Sequence, residues 1–213
     1  MTGFCGHLNT DLISSLLMTL DLLPPEILQT YEVHEWKHAC AILANDFPSE
    51  WRDVIDLLRQ FRLCQSWITV GGGRKSKVSE AIDTFLYDRG WEEKAFRTAM
   101  RVDDAEIETP THQVDCYKNH VALEIEWNNK DPFFDRDLNN FRLLFELRTI
   151  SVGIIITRCD ELQTIFQGLG RGASYGASTT HMSKLLPRIG GGGAGGCPVL
   201  VFGIKNASYR EDC

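Results

Sequence analysis

The chain has 213 residues, of which 43% are hydrophobic, and it carries a formal net charge of −7. This length is enough for one well-buried domain and short for two, so we expect a single domain over residues 1–213. An average charge of this sign disfavours a nucleic-acid partner unless bases are concentrated locally, because phosphate binding needs positive potential. Residues 162–205 meet that condition, with four bases and no acid, whereas residues 1–70 hold nine acids and four bases.

Seven cysteines are spread along the chain without a C-x-x-C pair. This usage predicts reduced thiols, with neither a disulfide framework nor a zinc ribbon. No apolar run approaches the length of a membrane span, and the chain does not open on a signal-peptide pattern. We therefore expect a cytoplasmic protein without a membrane partner.

The N-terminal third is predicted to be helical. Apolar residues at helical spacing, with proline and N-cap signals between them, predict helices over residues 11–23, 26–45 and 49–63. We expect residues 1–67 to form a helical scaffold and dimerisation part, and residues 68–205 to form the catalytic and DNA-recognition core.

The second predicted helix contains His34-Glu35-Trp36-Lys37-His38, which fits the H-E-x-x-H motif of zinc metalloproteases. Two histidines one helical turn apart would bind zinc, and Glu35 would act as general base. The alternative is that both histidines pack against the core on a face shared with Tyr31 and Ile42. A third ligand at a known spacing is missing from the sequence, which weakens the protease hypothesis.

A glycine-rich basic segment follows, in which Gly71, Gly72 and Gly73 precede Arg74, Lys75 and Lys77. Such a loop can approach a phosphate backbone closely, and a solvated linker leading into a helix is the alternative. The segment does not fit the P-loop pattern. A helix is predicted over residues 78–89 with Gly90 beyond its end, and residues 91–100 are ambiguous.

Residues 111–129 predict a β-hairpin that gathers three carboxylates. Its second arm alternates between an apolar and a polar set, namely Val121, Leu123, Ile125 and Trp127 against Ala122, Glu124, Glu126 and Asn128. This is the pattern of a half-buried strand. With Lys118 and Asn119 as the turn, Asp115 lies opposite Ala122 and on the same face as Glu124 and Glu126. Carboxylates this close repel one another, and a magnesium ion held by oxygen ligands would offset that repulsion. The alternative is that the two glutamates form the solvated face of an edge strand.

The segments after the hairpin predict a βαβ unit. Phe141, Leu144, Phe145 and Leu147 fit a helix, and residues 151–157 read as a fully buried central strand. A short helix is expected over residues 160–167, mostly loop over 168–196, a strand over 198–204 and a tail from Tyr209. Gly168 to Ala173 formally fits G-x-G-x-x-[GA] but does not lead from a strand into a helix, so we expect no organic cofactor.

Several motifs follow one another in a fixed order, namely Gly71–Ser76, Arg89–Trp91, Asp115, Val121–Trp127 and Cys197–Ile204. In that order they resemble the PD-(D/E)XK nucleases, and more closely the BglII-type type II restriction endonucleases. The resemblance implies an α/β fold with a mixed central sheet flanked by helices and a helical N-terminal scaffold. It also implies a magnesium-dependent, sequence-specific endonuclease acting on double-stranded DNA as a homodimer.

Carried onto this sequence, the resemblance implies Asp115 and Glu124 as Mg²⁺ ligands together with the backbone carbonyl of Ile125. Glu126 stands where the wider superfamily has lysine, which leaves its role open between metal ligand and general base. The expected DNA-binding residues are Arg74, Lys75, Lys77, Asn128, Asn129, Arg171, Tyr175, Ser178, Thr179, Thr180, His181 and Arg188. The alternative for Asn128 and Asn129 is that the pair forms a turn before Pro132 and does not contact bases. A repair or structure-selective nuclease of the same fold and a catalytically silent DNA-binding module remain as rival functions.

Overall fold

The computed structural model describes residues 19–70, 75–211 and 213. Its helices are α1 (Pro25–Thr30), α2 (Ala39–Asp46), α3 (Pro48–Gln60), α4 (Gln65–Thr69), α5 (Lys77–Tyr87), α6 (Phe133–Glu146), α7 (Leu162–Gly168) and α8 (Met182–Gly190), with a 3-10 turn at Asn206–Ser208. Its strands are β1 (Tyr31–Trp36), β2 (Leu63–Cys64), β3 (Glu92–Val102), β4 (Ala105–Lys118), β5 (Val121–Ile125), β6 (Val152–Arg158), β7 (Val199–Ile204) and β8 (Tyr209–Arg210).

Six strands form a mixed central sheet in the order β1-β7-β6-β5-β4-β3. The central pairs β5-β6 and β6-β7 are parallel, and the outer pairs are antiparallel. Helix α6 connects the parallel strands β5 and β6, as a crossover connection between parallel strands requires. The predicted α/β fold, the βαβ unit and the buried central strand are all confirmed.

Helices cover both faces of the sheet, and alternation along the strands decides which core each side chain joins. Leu123 and Ile154 face the core under helices α1, α2, α3 and α5. Ala122 and Ile155 face the core under helices α6 and α8. Every residue of β5, β6 and β7 is buried. The prediction that β5 is not an exposed edge strand is confirmed, but the prediction of a half-buried strand is wrong, because helices cover both faces of the sheet.

The helix predicted over residues 26–45 is wrong, because strand β1 interrupts it. Residues 31–36 pair antiparallel with β7, from Tyr31 opposite Ile204 to Trp36 opposite Val199. Lys37 and His38 then turn the chain with positive φ angles of 56° each. His34 is therefore in a strand and His38 in a turn, so they do not present two ligands from consecutive turns of one helix. The zinc protease motif has no structural basis here.

The other N-terminal predictions fare differently. The helix expected over residues 49–63 is confirmed as α3, which ends three residues early because Leu63 enters strand β2. Most of the helix expected over residues 11–23 lies outside the described residues. The division into a scaffold and a core stays a prediction, although β1 shows that the N-terminal part also contributes to the sheet.

Two C-terminal predictions are corrected. The region expected to be mostly loop contains helix α8, whose first turn is fixed by Asp160, which accepts hydrogen bonds from the backbone N–H and the hydroxyl of Ser183. The expected tail is tied down, since β8 pairs with β2 and Cys213 forms a disulfide with Cys64. The expectation that all thiols are reduced is therefore wrong for this pair. The other described cysteines are free and buried.

No helix in the described part of the chain combines the length and the apolar character needed to cross a membrane.

Gly153 lies where helix α6 packs against strand β6. Because it has no side chain, the helix can approach the strand closely at this point. A Cβ atom at this position would lie 2.3 Å from the Phe141 ring. We expect Gly153→Ala to lower the free energy of unfolding by about 1–3 kcal/mol, because the ring is enclosed and overpacking is costly. Gly168→Ala is the matched control, since its Cβ would meet nothing within 4 Å. Urea unfolding of both variants tests this, and equal stability of the two would contradict the packing assignment.

Candidate active site

The hairpin between β4 and β5 turns at Asn119 and His120, which have positive φ angles of 43° and 66°. The predicted turn at Lys118 and Asn119 is wrong by one residue. The observed pairs are Lys118 with Val121, Tyr117 with Ala122 and Cys116 with Leu123. A shift of the turn by one residue moves the pairing by two, so each side chain keeps its face of the sheet.

A β-bulge in strand β4 determines where Asp115 points. On the partner strand β3, Glu92 pairs with Tyr117 but Lys94 pairs with Val114, so β4 carries one extra residue between these pairs. A bulge of this kind bends the strand and redirects a side chain. The Asp115 carboxylate accepts a hydrogen bond from the backbone N–H of Ile125 at 3.0 Å. The backbone N–H of Asp115 in turn approaches Oε2 of Glu124 at 3.4 Å, so the bulge brings Asp115 against the β5 strand that carries the glutamates.

Glu124 and Glu126 are buried on the face of β5 that is covered by helix α6. Each is 1% exposed, and Asp137 of that helix is fully buried beside them. Arg136 brings a positive charge to this group, with its guanidinium 3.4 Å from Glu126 and 2.7 Å from Asp137. Asn129 also donates a hydrogen bond from Nδ2 to Oε2 of Glu126 at 2.9 Å. Three carboxyl groups thus share one buried space with one guanidinium in contact.

Burial disfavours the ionised form of these carboxyl groups, and charges on neighbouring acids add to the effect. Burial raises the pKa of Glu126 to about 9, and the neighbouring charge of Asp137 contributes to the rise. Burial, then the charges of Asp137 and Asp115, raise the pKa of Glu124 well above its usual range. Burial also raises the pKa of Asp137. Carboxyl groups in this condition accept a cation readily, because it removes the repulsion that opposes ionisation.

The chemistry of these side chains fits a hard divalent cation. Oε1 of Glu124 is buried without a hydrogen-bond partner in the described part of the chain, and such an oxygen is costly unless something binds it. Asp115 adds a second carboxylate on the adjacent strand. As the side chains stand, however, no three histidine, cysteine, aspartate or glutamate residues among residues 19–70, 75–211 and 213 are grouped so that they could hold a metal ion. Metal binding at this site stays a prediction.

An open cleft of about 640 Å³ runs past Asp115 and Ile125. It gathers six of the residues predicted to bind DNA, namely Lys75, Lys77, Asn128, Asn129, Arg171 and Tyr175. Glu124 and Glu126 are not part of its lining and lie behind it. The cleft therefore brings a polar surface to the side of the hairpin on which Asp115 emerges, and this surface carries both bases (Lys75, Lys77, Arg171) and acids (Asp83, Glu93, Asp115).

The remaining predicted DNA-binding residues lie elsewhere. Thr179, Thr180 and His181 are buried, and His181 contacts Asp160 at 2.7 Å. Ser178 is exposed, and Arg188 forms ion pairs with Asp131 and Asp135 on helix α6 and its approach. Arg74 lies outside the described residues.

Two acids of the site were missed by sequence reasoning. Asp137 is spaced with Phe134, Phe141 and Leu144 along the inward face of α6, so an acid at a core position of the helix was a usable signal. Asp83 is 4% exposed, lines the cleft, contacts Lys75 and accepts a hydrogen bond from the Cys116 thiol. Asp83 reaches the cleft because α5 packs against β4, and no local sequence pattern reveals that packing.

The raised pKa of Glu126 predicts a pH dependence for the metal-free protein. The carboxyl is protonated in the fold up to about pH 9 and loses its proton near 4.5 when unfolded. Its contribution to stability is therefore complete below the unfolded pKa and is lost as the pH rises toward 9. In EDTA, we expect the free energy of unfolding to fall between about pH 6 and pH 9, and Glu126→Gln to reduce that fall by more than about 1 kcal/mol.

The control for this measurement is Glu146→Gln, at the exposed end of α6, which should keep the wild-type profile. A Glu126→Gln profile that parallels the wild type would contradict the assignment of a protonated Glu126.

Comparison with known proteins agrees with this geometry. The profile of the family described as restriction endonuclease BglII/BglIII matches residues 31–204. A search of the curated proteins finds no match. The matched range runs from strand β1 to strand β7 and so contains the whole central sheet, the carboxylate group and the cleft. The chain therefore belongs to the restriction endonuclease BglII/BglIII family, which are type II site-specific deoxyribonucleases and thus sequence-specific DNA endonucleases.

Proposed function

We propose that this protein hydrolyses double-stranded DNA in a magnesium-dependent reaction that leaves 5′-phosphate and 3′-hydroxyl ends. The observation that carries the proposal is the bulge at Asp115, which places one carboxylate against the Ile125 backbone beside the buried and unpaired Oε1 of Glu124. This is a set of oxygen donors on two adjacent strands, next to a cleft that carries the cations Lys75, Lys77 and Arg171. In metal-assisted hydrolysis of a phosphodiester, oxygen ligands hold the metal ion and nearby cationic side chains bind the phosphates.

Asp115, Glu124 and the carbonyl oxygen of Ile125 would hold the Mg²⁺ ion. When bound, the ion supplies Lewis acidity, which lowers the pKa of a coordinated water and offsets charge on the scissile phosphate. The residues of the chain orient this arrangement. The Ile125 N–H fixes one oxygen of Asp115, and Asp115 through its own N–H approaches Glu124.

Glu126 is the group that we propose handles the proton of the attacking water. Its carboxyl is protonated in the metal-free fold, and the charge of a bound divalent cation would add to Arg136 and Asn129 in favouring the ionised form that accepts a proton. The water oxygen bonds to phosphorus, its proton passes to Glu126, and the bond from phosphorus to the 3′ oxygen breaks. The departing 3′ oxygen takes a proton from solvent, which balances the reaction.

The cleft supplies the DNA contacts. Lys75, Lys77 and Arg171 would bind phosphates, and Asn128 and Asn129 would contact base edges. Oδ1 of Asn128 is buried without a hydrogen-bond partner in the described structure. An unpaired acceptor of this kind is available to a hydrogen-bond donor on a ligand. Because Asn129 also holds Glu126, a base contact at this loop would reach the proton-handling carboxyl directly.

Palindromic cleavage calls for two sites related by a twofold axis, so we propose a homodimer. The acidic N-terminal helices suit a protein interface better than a DNA surface, because their charge would repel phosphates. The cytoplasm is the proposed location, since restriction acts on DNA that enters the cell.

Of the other predicted DNA-binding residues, we propose that Thr179, Thr180 and His181 support the cleft wall from behind, while Ser178, Arg188 and Arg74 stay candidates for direct contact.

Plasmid digestion tests the site assignment. With Mg²⁺, wild-type protein should cut at discrete positions whose ends carry 5′-phosphates, as run-off sequencing and ligation would show. Asp115→Asn and Glu124→Gln should each lower the cleavage rate by at least about a thousandfold, because charge stabilisation at the phosphate is lost. Both variants should remain folded, and Glu146→Gln should cut at the wild-type rate.

Retained cleavage by Asp115→Asn or Glu124→Gln protein would contradict the site. Wild-type cutting at no discrete position would favour a structure-selective nuclease of the same fold, and binding without cutting would favour a silent DNA-binding module.

A further inference from the structure

Arg158 is a buried cation at the end of strand β6. It is 2% exposed, on the face of the strand that carries Ile154 and Ile156. Its hydrogen-bond partners are neutral, namely the carbonyl oxygen of Tyr175 at 3.1 Å and the hydroxyl of Thr179 at 2.8 Å. Its Nε has no partner in the described part of the chain. Arginine is seldom buried unless it is paired, because losing its hydration is costly.

The nearby acid does not neutralise this guanidinium by contact. The charge of Asp160 favours the protonated form of Arg158 without direct contact. The Asp160 carboxylate itself is bound by His181 and Ser183. Burial lowers the pKa of Arg158 to about 10, which leaves it charged at neutral pH. Aromatic rings supply the rest of its surroundings, with the centroids of Phe166 and Tyr175 at 5.4 and 5.9 Å.

Both neutral partners belong to one segment, residues 169–181, which we call the cleft loop. It connects α7 to α8 and contributes Arg171 and Tyr175 to the cleft. Tyr175 stacks on Phe166 at 4.1 Å and meets Trp127 edge to face at 6.0 Å. Trp127 lies between Glu126 and Asn128, so this aromatic block joins the cleft loop to the end of the catalytic strand.

The cleft loop is also hydrogen-bonded to the segment that follows β5, residues 128–131, which we call the asparagine loop. Thr179 forms a β-bridge with Lys130, the Thr180 N–H donates to the carbonyl of Asn129 at 2.9 Å, and the Asp131 N–H donates to the carbonyl of Ser178 at 3.1 Å. A shift of the cleft loop would therefore displace Asn129. The Arg158 guanidinium, which binds Thr179, therefore influences the positions of both the cleft loop and the asparagine loop.

We propose that Arg158 is a positioning residue that sets the sequence selectivity of cleavage, by holding the cleft loop and the asparagine loop in one mutual register. This inference rests on the proposed function. One guanidinium nitrogen, Nη2, donates to a backbone carbonyl and to a side-chain hydroxyl of the same loop, which ties two points of that loop to the end of strand β6. Discrimination between DNA sequences requires base-contacting groups held in one such arrangement.

Two variants separate this role from a general loss of stability. Arg158→Met removes both hydrogen bonds but keeps an apolar side chain of similar length. Thr179→Val keeps the shape and removes the hydroxyl, and with it the bond from Arg158 and the bond that this hydroxyl donates to the carbonyl of Gly176. It is the informative variant if Arg158→Met fails to fold. Thr179→Ser keeps the hydroxyl and is the matched control. None of these residues touches the cleaved phosphate in the proposed site.

The first measurement is the ratio of the cleavage rate at the preferred site to the rate at sites that differ by one base pair. We expect Thr179→Val and Arg158→Met to lower this ratio at least about tenfold, since one mismatched base pair typically changes recognition by that much or more. The ratio is the readout, rather than the rate at the preferred site, because a displaced Asn129 would also act on Glu126. Thr179→Ser should keep the wild-type ratio.

The second measurement is independent of cleavage. Hydrogen exchange at the amides of Thr180 and Asp131, which bond across the two loops, should accelerate at least about tenfold in Thr179→Val. Exchange at the Glu126 amide, which donates to Ile156 within the sheet, should not change. Equal acceleration at all three amides would indicate plain destabilisation and would overturn the proposal.

Unchanged rate ratios in folded Thr179→Val and Arg158→Met proteins, with wild-type protein cutting at discrete sites, would overturn this inference alone. Wild-type cutting at no discrete site would overturn the proposed function and this inference with it. Unchanged exchange at Thr180 and Asp131 would overturn the inference whatever the cleavage pattern.

Discussion

Glu124, Glu126 and Asp137 are carboxyl groups packed into one buried space, and electrostatic repulsion among their ionised forms constrains the rest of the molecule. Arg136 offsets part of their charge from helix α6, so this helix must follow β5 closely and cover that face of the sheet. The bulge in β4 adds Asp115 to the group from the other strand. A protein holds acids this way at a cost in stability, and such costs are concentrated at functional sites. The group is part of the site that we propose for the family's endonuclease activity.

The same side chains join the proposed catalytic group to the proposed DNA-contacting loops. Asn129 donates a hydrogen bond to Glu126, while its carbonyl accepts one from Thr180 in the cleft loop. Arg158 holds that loop from behind through Thr179. In the proposed mechanism, a DNA contact at the asparagine loop would therefore act on the carboxyl that accepts the proton of the attacking water. The route from Arg158 to Glu126 is short, because each step along it is one hydrogen bond between neighbouring segments.

Patterns of near neighbours predicted much of this arrangement, and partners distant in sequence account for the rest. Alternation along residues 121–127 correctly placed Glu124 and Glu126 on one face, and the unbroken apolar run at residues 152–156 correctly predicted a central strand. Strand β1 was missed because it depends on pairing with Ile204 and its neighbours, while its own residues also fit helical spacing. The disulfide of Cys64 with Cys213 and the bulge at Asp115 likewise depend on contacts between distant segments. Asp137 was the avoidable omission, since its spacing already placed an acid in the core.

The central claim is that Asp115 and Glu124 bind the divalent cation, and thermal unfolding with and without Mg²⁺ tests it most directly. A ligand of the native state at a hundred times its dissociation constant stabilises by about 2.7 kcal/mol, which corresponds to roughly 2–4 °C in melting temperature per kcal/mol for a chain of this size. Wild-type protein should therefore melt several degrees higher in saturating Mg²⁺ than in EDTA, and Asp115→Asn and Glu124→Gln proteins should show no such difference. An equal shift in all three proteins would place the cation elsewhere and contradict the account.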